Sequence, residues 1–360
     1  MLITAIENFV LFSTLFALVA FVLAALAHIS VSHNILRTGP ETLARFYTRA
    51  LVVPPVLPAW LVIAALLPEW FLSPSAFSTD HGAPIHKLHL LSDATSALEP
   101  GLAYMTFLFV LVAAGFSIWS NWKMRARLSR LIAHLELTSE QPSTEQISIV
   151  REAANRYGLD VGLVTSSYPF SFVWGFAQSK LILSTALLRT LTDSELRGVI
   201  EHEAAHHRRR DNIVKLILSL STCSSVAFPL SRLILKWRAL EVEMICDGLA
   251  VANTGKPLEI ADALLKLRRH NSPAEVSSEA TAISAFISHN ADHFERRIHR
   301  LIQFVDSPLP ISFSEFTNVR LQLFRALICA GLFITTLAAL TLFSPLSVHR
   351  FAEATIRLLT

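Results

Sequence analysis

Four stretches of the chain, 9–27, 50–67, 101–119 and 326–346, run almost without polar interruption and contain no Asp, Glu, Lys or Arg. Each is long enough, at about 1.5 Å per residue, to cross a hydrocarbon layer about 30 Å thick, so four transmembrane helices are predicted. The first ends in Ala25-Leu26-Ala27, which resembles a small-residue cleavage site. The residues before it carry Glu7 and no Lys or Arg, unlike a signal peptide, so it is expected to remain as a membrane helix. The second contains Pro54, Pro55 and Pro58. Each proline removes a backbone donor, so a kinked or irregular span is expected there.

Between the third and fourth spans the pattern changes. Residues 160–166 and 172–184 are rich in Val, Phe, Ile and Leu and are broken by Tyr168-Pro169, Gly175 and Ser179, which predicts short strands. Thr192 followed three places on by Glu195 forms a capping box, so a helix is expected from Asp193 through Arg208, with Gly198 its weak point. The predicted organisation is an α+β membrane protein. Residues 1–119 carry three spans, 120–325 form a mainly helical domain with a small sheet, 326–346 form the fourth span, and 347–360 are a short tail.

Charge placement orients this arrangement. Arg37, Arg45 and Arg49 follow the first span, and Lys123, Arg125, Arg127 and Arg130 follow the third. The loop after the second has Lys87 among Glu69, Asp80, Asp93 and Glu99. Basic flanks stay on the cytoplasmic side, so the 120–325 domain is expected in the cytoplasm, with the N-terminus and the tail outside. Composition agrees: 16% charged and 52% hydrophobic residues with mean hydropathy +0.47 exclude an ordinary soluble globule and a disordered chain. A net charge of +3 with scattered basic residues gives no case for nucleic-acid binding. Cys223, Cys246 and Cys329 have no framework spacing, which argues against a disulfide-stapled secreted fold.

The candidate chemistry lies on the capped helix, in His202-Glu203-Ala204-Ala205-His206. Residues four apart share a helix face, so both imidazoles can address one metal ion while Glu203, one step round, reaches a water on it. Catalytic zinc needs three protein ligands and an open position, and a carboxylate can take the proton of the polarised water and pass it to the leaving amine. His207 lies about 100° off that face and is read as solvated. A third ligand is expected from a second helix. There Glu243 and Asp247 are four apart, so one can bind metal while the other orients a histidine. Glu241 projects elsewhere and reads as a solvated carboxylate.

The run 187–212, with Glu195-Leu196, His202-Glu-x-x-His206-His207-Arg-Arg-Arg-Asp211-Asn212, followed by Glu243-x-x-Cys246-Asp247, resembles the integral-membrane zinc metallopeptidases of the beta-lactam sensor-transducer (BlaR/MecR) family. The HtpX and CAAX prenyl protease group is a more distant likeness. The resemblance is specific over about 161–251, and it implies a gluzincin endopeptidase with one zinc per chain. His202, His206 and Glu243 would be the ligands, Glu203 the catalytic acid/base, and Asp247 a partner of a ligand histidine. The beta-lactam sensors carry a large extracellular domain after the last span, and this sequence ends at Thr360, so recognition of a beta-lactam is not expected. A signal would have to enter through the acidic 68–100 loop, the spans or another protein.

Residues 213–237 are apolar enough to suggest a fifth span, but one crossing would put Glu243 across the membrane from His202 and His206. A hairpin needs two spans of about 20 residues. With Pro229 and the flanking Lys215, Arg232 and Lys236, this stretch is expected to be a helix buried in the domain or lying at the interface. His289, His293 and Arg297 are candidate oxyanion donors in a segment faintly similar to a His…Arg-Ile motif of the CAAX and HtpX relatives. Taken singly, each reads as a solvated helix charge, and none is placed in the catalytic set. The strand around 173–182 is expected to offer an edge for an extended peptide. His81, His86 and His89 are read as scattered loop histidines.

The expected function is a membrane-embedded zinc endopeptidase in the bacterial inner membrane, cutting a cytoplasmic or membrane-proximal protein in signalling or regulated proteolysis. Its partners are a protein substrate and the lipid bilayer, and a homo-oligomer is compatible with the sequence. The rivals are HtpX-like quality control of membrane proteins and a non-proteolytic transducer with a structural zinc clamp. Glu203 favours proteolysis over the clamp, because a structural site has no use for a general base.

Overall fold

A computed structural model describes residues 2–33, 38–71, 144–176, 179–223, 228–270 and 291–306, together with scattered positions between 108 and 130. The described chain is mostly helical with one small sheet. Its elements are α1 (Leu2–Ser32), α2 (Pro40–Phe71), α3 (Thr144–Arg156), β1 (Asp160–Val164), β2 (Ser171–Trp174), β3 (Lys180–Ser184), α4 (Thr185–Thr190), α5 (Asp193–Arg208), α6 (Asp211–Cys223), α7 (Phe228–Thr254), α8 (Pro257–His270) and α9 (Ala291–Asp306).

Among the described residues one helix is long and apolar enough to cross a membrane, over Ser13–Ser32 of α1. Leu18, Val19, Val22, Leu23 and Leu26 there expose large apolar side chains. The second expected span lies within α2, which stays helical through Pro54, Pro55 and Pro58, so the expected irregularity does not interrupt it. The described positions of 101–119 are helical. The fourth span, the tail, the 72–100 loop with His81, His86 and His89, and His289 lie outside the described residues.

The three strands fall where the sequence pattern puts them. Their order is β1-β3-β2, with β3 parallel to β1 and antiparallel to β2. Central β3 is therefore paired on both sides, and the edge expected from 173–182 is supplied by β2 alone. Ser184 N–H donates to the Phe170 carbonyl at 3.1 Å. By the alternation of an antiparallel ladder, the backbone groups of Ser171 and Val173 then point away from β3.

Helix α5 is central to the domain. Leu196, Val199, Ile200 and Ala204 join Val150 and Ala154 of α3, Val173, Leu181 and Leu183 of the sheet, and Leu187 and Leu188 of α4 in one buried core. On another side Ala205 meets Val242, Ile245, Cys246 and Leu249 of α7 and Ala44 of α2. Where α8 crosses, Gly198 has no side chain to spare, because a Cβ there would sit 2.8 Å from Ile260 Cγ1. Gly198 is a weak point for helix propensity, yet it permits the close crossing.

The described parts of 213–237 belong to α6 and the first turns of α7, and both pack on α1 and α2. Leu218 and Ile234 are buried with Ala24, Leu43, Tyr47 and Leu51. Trp237 stacks on His28 at 4.6 Å, and Ser221 Oγ donates to the Leu51 carbonyl at 2.7 Å.

Candidate metal centre

The centre is assembled by α5 and α7, and both are held by local chemistry. Thr192 caps α5: its backbone N–H donates to Glu195 Oε2 at 2.8 Å, and its hydroxyl accepts from Glu195 N–H. Lys266 of α8 donates to both oxygens of Glu195 at 2.7 Å. Burial works against ionisation of Glu195, but the Lys266 bond and the Thr192 bonds outweigh it and hold its carboxyl below the ordinary value. The cap is thus an anion at the positive end of the helix dipole. Three turns on, the helical spacing brings His202 and His206 together, with ring centroids 4.9 Å apart and nearly perpendicular planes.

Glu243 of α7 faces both rings. Its Oε2 lies 3.3 Å from His202 Nε2 and its Oε1 lies 3.5 Å from His206 Nε2. One donor atom from each of the three residues falls within 4.8 Å of the others, so the trio could hold a metal ion. The other nitrogen of each ring faces a carboxylate, through a hydrogen bond at His206 and through a charge contact without hydrogen-bond geometry at His202. His202 Nδ1 lies 2.9 Å from Asp247 Oδ1, and His206 Nδ1 lies 2.8 Å from Asp211 Oδ2. A carboxylate behind each imidazole fixes which nitrogen is free to ligate and raises its basicity.

Sequence reasoning named Asp247 and not Asp211, although Asp211 sits in the quoted run. What brings it back is a turn: α5 ends at Arg208, and Arg210 adopts the left-handed conformation (φ 55°) that redirects the chain into α6. A non-glycine residue there carries no obvious sequence signal.

Arg297 is the larger omission. It is not a solvated helix charge: 5% exposed, it donates from Nε and Nη2 to the two oxygens of Asp247 at 2.7 and 2.8 Å. Its Nη1 lies 3.1 Å from Glu243 Oε2. His293 is on α9 as well, in a part whose side chains are not described. Glu241 also departs from expectation. It is 2% exposed, and burial pushes its carboxyl up to about 7 against the attraction of Arg296 and Arg300. Helix α7 is packed on several faces, so turning away from the metal trio does not mean turning toward solvent.

The electrostatics follow from burial of opposite charges side by side. Burial disfavours a charged His202, but Asp247 and Glu243 outweigh it and push that imidazole up to about 10. Burial likewise opposes ionisation of Asp247, and Arg297 with His202 pulls it down to about 2. Glu243 is held low by Arg297 and His206 against the same burial. Glu203 lies beside the trio on α5, and its Oε1 accepts from Ser171 Oγ at 2.9 Å, which ties it to edge strand β2. A second group, His206, Asp211 and Cys246, also clusters. Burial pushes the Cys246 thiol well up, and a protonated thiol is a poor ligand. His207 is not in either group.

These residues lie in a segment that known proteins share. The sequence model of the family described as BlaR1 peptidase M56 matches residues 60–301, about two thirds of the chain. Over 214 residues the chain is 23% identical to a protease HtpX homolog of Gemmatimonas aurantiaca, covering 49% of this chain and 76% of that protein. It is 31% identical over 113 residues to a protease HtpX homolog of Burkholderia thailandensis, covering 30% of this chain and 39% of that one. The solved structure of S. mikatae Ste24p matches at 14% identity over 81% of this chain and 98% of that one. Its TM-score of 0.30 is too low to establish a shared fold. By the family match, the chain belongs to the BlaR1 peptidase M56 family and is a membrane metalloprotease.

Proposed function

We propose that the protein is a zinc endopeptidase that cuts a cytoplasmic or membrane-proximal protein, with His202, His206 and Glu243 as the zinc ligands. The observation that carries this reading is the arrangement of the two imidazoles. Both Nε2 atoms converge on Glu243, while each Nδ1 is backed by a buried carboxylate, Asp247 or Asp211. A borderline-soft ion suits two imidazoles and one carboxylate, and three protein ligands leave a position open for chemistry. Zinc, when bound, supplies the Lewis acid that activates water and polarises the scissile carbonyl.

The chain's own residues do the rest. Glu203 takes the proton of the attacking water on its carboxylate and delivers it to the departing amide nitrogen. Ser171 holds that carboxylate in place from β2. The outward backbone of β2 suits a substrate strand, since peptides bind extended along free sheet edges. Asn212 fixes the end of that edge by donating from Nδ2 to the carbonyls of Val173 at 2.9 Å and Gly175 at 3.2 Å, which engages the outward carbonyl of Val173 and leaves the Ser171 end for a substrate strand. Asp247 and Asp211 orient the histidines, and Arg297 balances the charge of Asp247 and Glu243.

The four-span arrangement with residues 120–325 facing the cytoplasm, in a bacterial inner membrane, belongs to the same proposal, supported by the basic flanks and by α1. HtpX-like quality control is a second reading, favoured by the likeness to HtpX homologs. The test is metal content by mass spectrometry on detergent-purified protein, alongside cleavage of a membrane-protein substrate panel. About one zinc per chain is expected, lost in His202→Ala and Glu243→Ala. Glu203→Gln should keep the zinc and lose cleavage by roughly 10²-fold or more. Zinc retained in Glu243→Ala would move the third ligand elsewhere, cleavage surviving in Glu203→Gln would remove Glu203 from the acid/base role, and a biological effect that survives the loss of cleavage would end the protease reading.

A further inference from the structure

Helix α2 reaches the metal centre through Ala44. Ala44 is buried in the cluster that holds Ala205, next to His206, and Val242 and Cys246, on either side of Glu243. It therefore packs on both helices that carry the proposed ligands. One turn on, Thr48 Oγ1 accepts from Arg238 Nε of α7 at 2.9 Å. One turn before, Glu41 Oε2 lies 3.5 Å from Arg209 Nη1. Arg209 in turn lies with its Nε 3.5 Å from Asp211 Oδ2, the same oxygen that sits 2.8 Å from His206 Nδ1. We infer that Arg209 is a cation shared between Glu41 of α2 and Asp211, through which the position of α2 sets how firmly Asp211 holds His206.

The physical case rests on how loosely this cation is tied. Both of its contacts are at 3.5 Å. Among the described residues, Glu41 Oε2, Arg209 Nε and Asp211 Oδ1 are buried without a hydrogen-bond partner. Such groups are attracted by charge, not locked by directional bonds, and because buried polar groups short of partners are costly, they gain by re-pairing when a neighbour shifts. Glu41 also holds Arg45, with Nε 3.2 Å from Oε1, and Arg238 is anchored separately on Thr48. Arg209 is thus the one of these guanidiniums in direct contact with both α2 and Asp211. When α2 draws Glu41 away, Arg209 is left to Asp211 alone and competes with His206 for Oδ2. The imidazole loses its orienting acceptor and binds metal less well, as expected when a carboxylate behind a ligand histidine is disturbed. Arg209, Asp211 and Glu41 are positioning residues in this scheme. None touches substrate.

This inference rests on His206 being a metal ligand, and the experiment separates the two. The full chain in lipid nanodiscs is titrated with zinc against a chromophoric chelator, and amide exchange over 203–210 is followed in the metal-free protein. Glu41→Gln is expected to weaken zinc binding by about threefold to tenfold and to speed exchange over that turn. Arg209→Gln removes the competing cation, so the Glu41→Gln effect should shrink to less than about twofold in that background. Glu41→Asp, which keeps the charge but shortens its reach, should move both readouts in the same direction as Glu41→Gln. Exchange over 181–183 in the sheet should not change in any variant, which checks the fold. No effect of Glu41→Gln on either readout, or an equal effect with and without Arg209, overturns the link. If the wild type takes up no zinc while exchange still shows the Arg209-dependent response, the metal reading fails and the link stands.

Discussion

Replacing Arg297 by Met tests the electrostatics of the centre more severely than any ligand change. Its guanidinium makes two charge-assisted bonds to Asp247, at 2.7 and 2.8 Å, and lies 3.1 Å from Glu243, with Arg297 and Asp247 both buried. Met fills similar volume but leaves two carboxylates without their cation. Removing one partner of a buried, hydrogen-bonded charge pair costs about 3–5 kcal/mol, because the remaining charge has no water to solvate it. At about 2–4 °C per kcal/mol for a domain of 150–250 residues, the apparent melting temperature of the metal-free protein should fall by roughly 6–20 °C. Thermal unfolding in detergent, followed by tryptophan fluorescence at a fixed scan rate, measures it. Arg297→Lys should recover only part of the loss, since one ammonium cannot make the two-pronged contact. Exposed Glu295, on the same helix, gives the control: Glu295→Gln should change stability by no more than about 0.5 kcal/mol and so move the midpoint by no more than about 2 °C. If Arg297→Met behaves like that control, Arg297 is a solvated charge after all and the picture of a buried triad is wrong.

Three further outcomes follow from the packing. Glu241 has its pKa raised from the ordinary 4.5 to about 7, so the folded state binds the extra proton between those values and stability falls as pH rises through that window. Glu241→Gln should therefore stabilise the protein at pH 8, by on the order of 2 kcal/mol, and have little effect at pH 4, as chemical denaturation at the two pH values would show. An equal shift at both would refute the burial. Gly198→Ala gains about 1 kcal/mol of helix propensity but forces a Cβ to within 2.8 Å of Ile260 Cγ1, and overpacking costs about 1–3 kcal/mol. A net loss of roughly 1 kcal/mol in the unfolding free energy is expected, and a gain would mean that α5 and α8 can separate cheaply. Cys246 is buried, and its thiol is pushed up, so iodoacetamide should label it only after unfolding, as intact-mass spectrometry would show. Rapid labelling of Cys246 in the native protein would place it in a more open site.

Much of the centre was legible because it is local. The Thr192 and Glu195 cap, the 3.6-residue period that pairs His202 with His206, and the same period that pairs Glu243 with Asp247 are all set within a turn or two of one helix. The strands were legible for a similar reason, since runs of Val, Ile, Leu and Phe between turn residues need no distant partner to be recognised. The apolar stretch of α1 announced its length directly. What the sequence left open depends on residues far apart meeting in space. Arg297 lies 50 residues from Asp247, and its reading changed from solvated to buried only when α9 packed on α7. Glu241 changed for the same reason: periodicity says which face a residue is on, not what covers that face. Asp211 reached His206 because a single left-handed residue, Arg210, turned the chain. The apolar 213–237 stretch became parts of two helices on α1 and α2 through contacts that no local pattern encodes. Sequence alone determined the residue types and helical spacings that make a metal-binding chemistry available. Tertiary structure decided which buried charges surround them, because the cost of burying a charge depends on what else is brought into the same dry space.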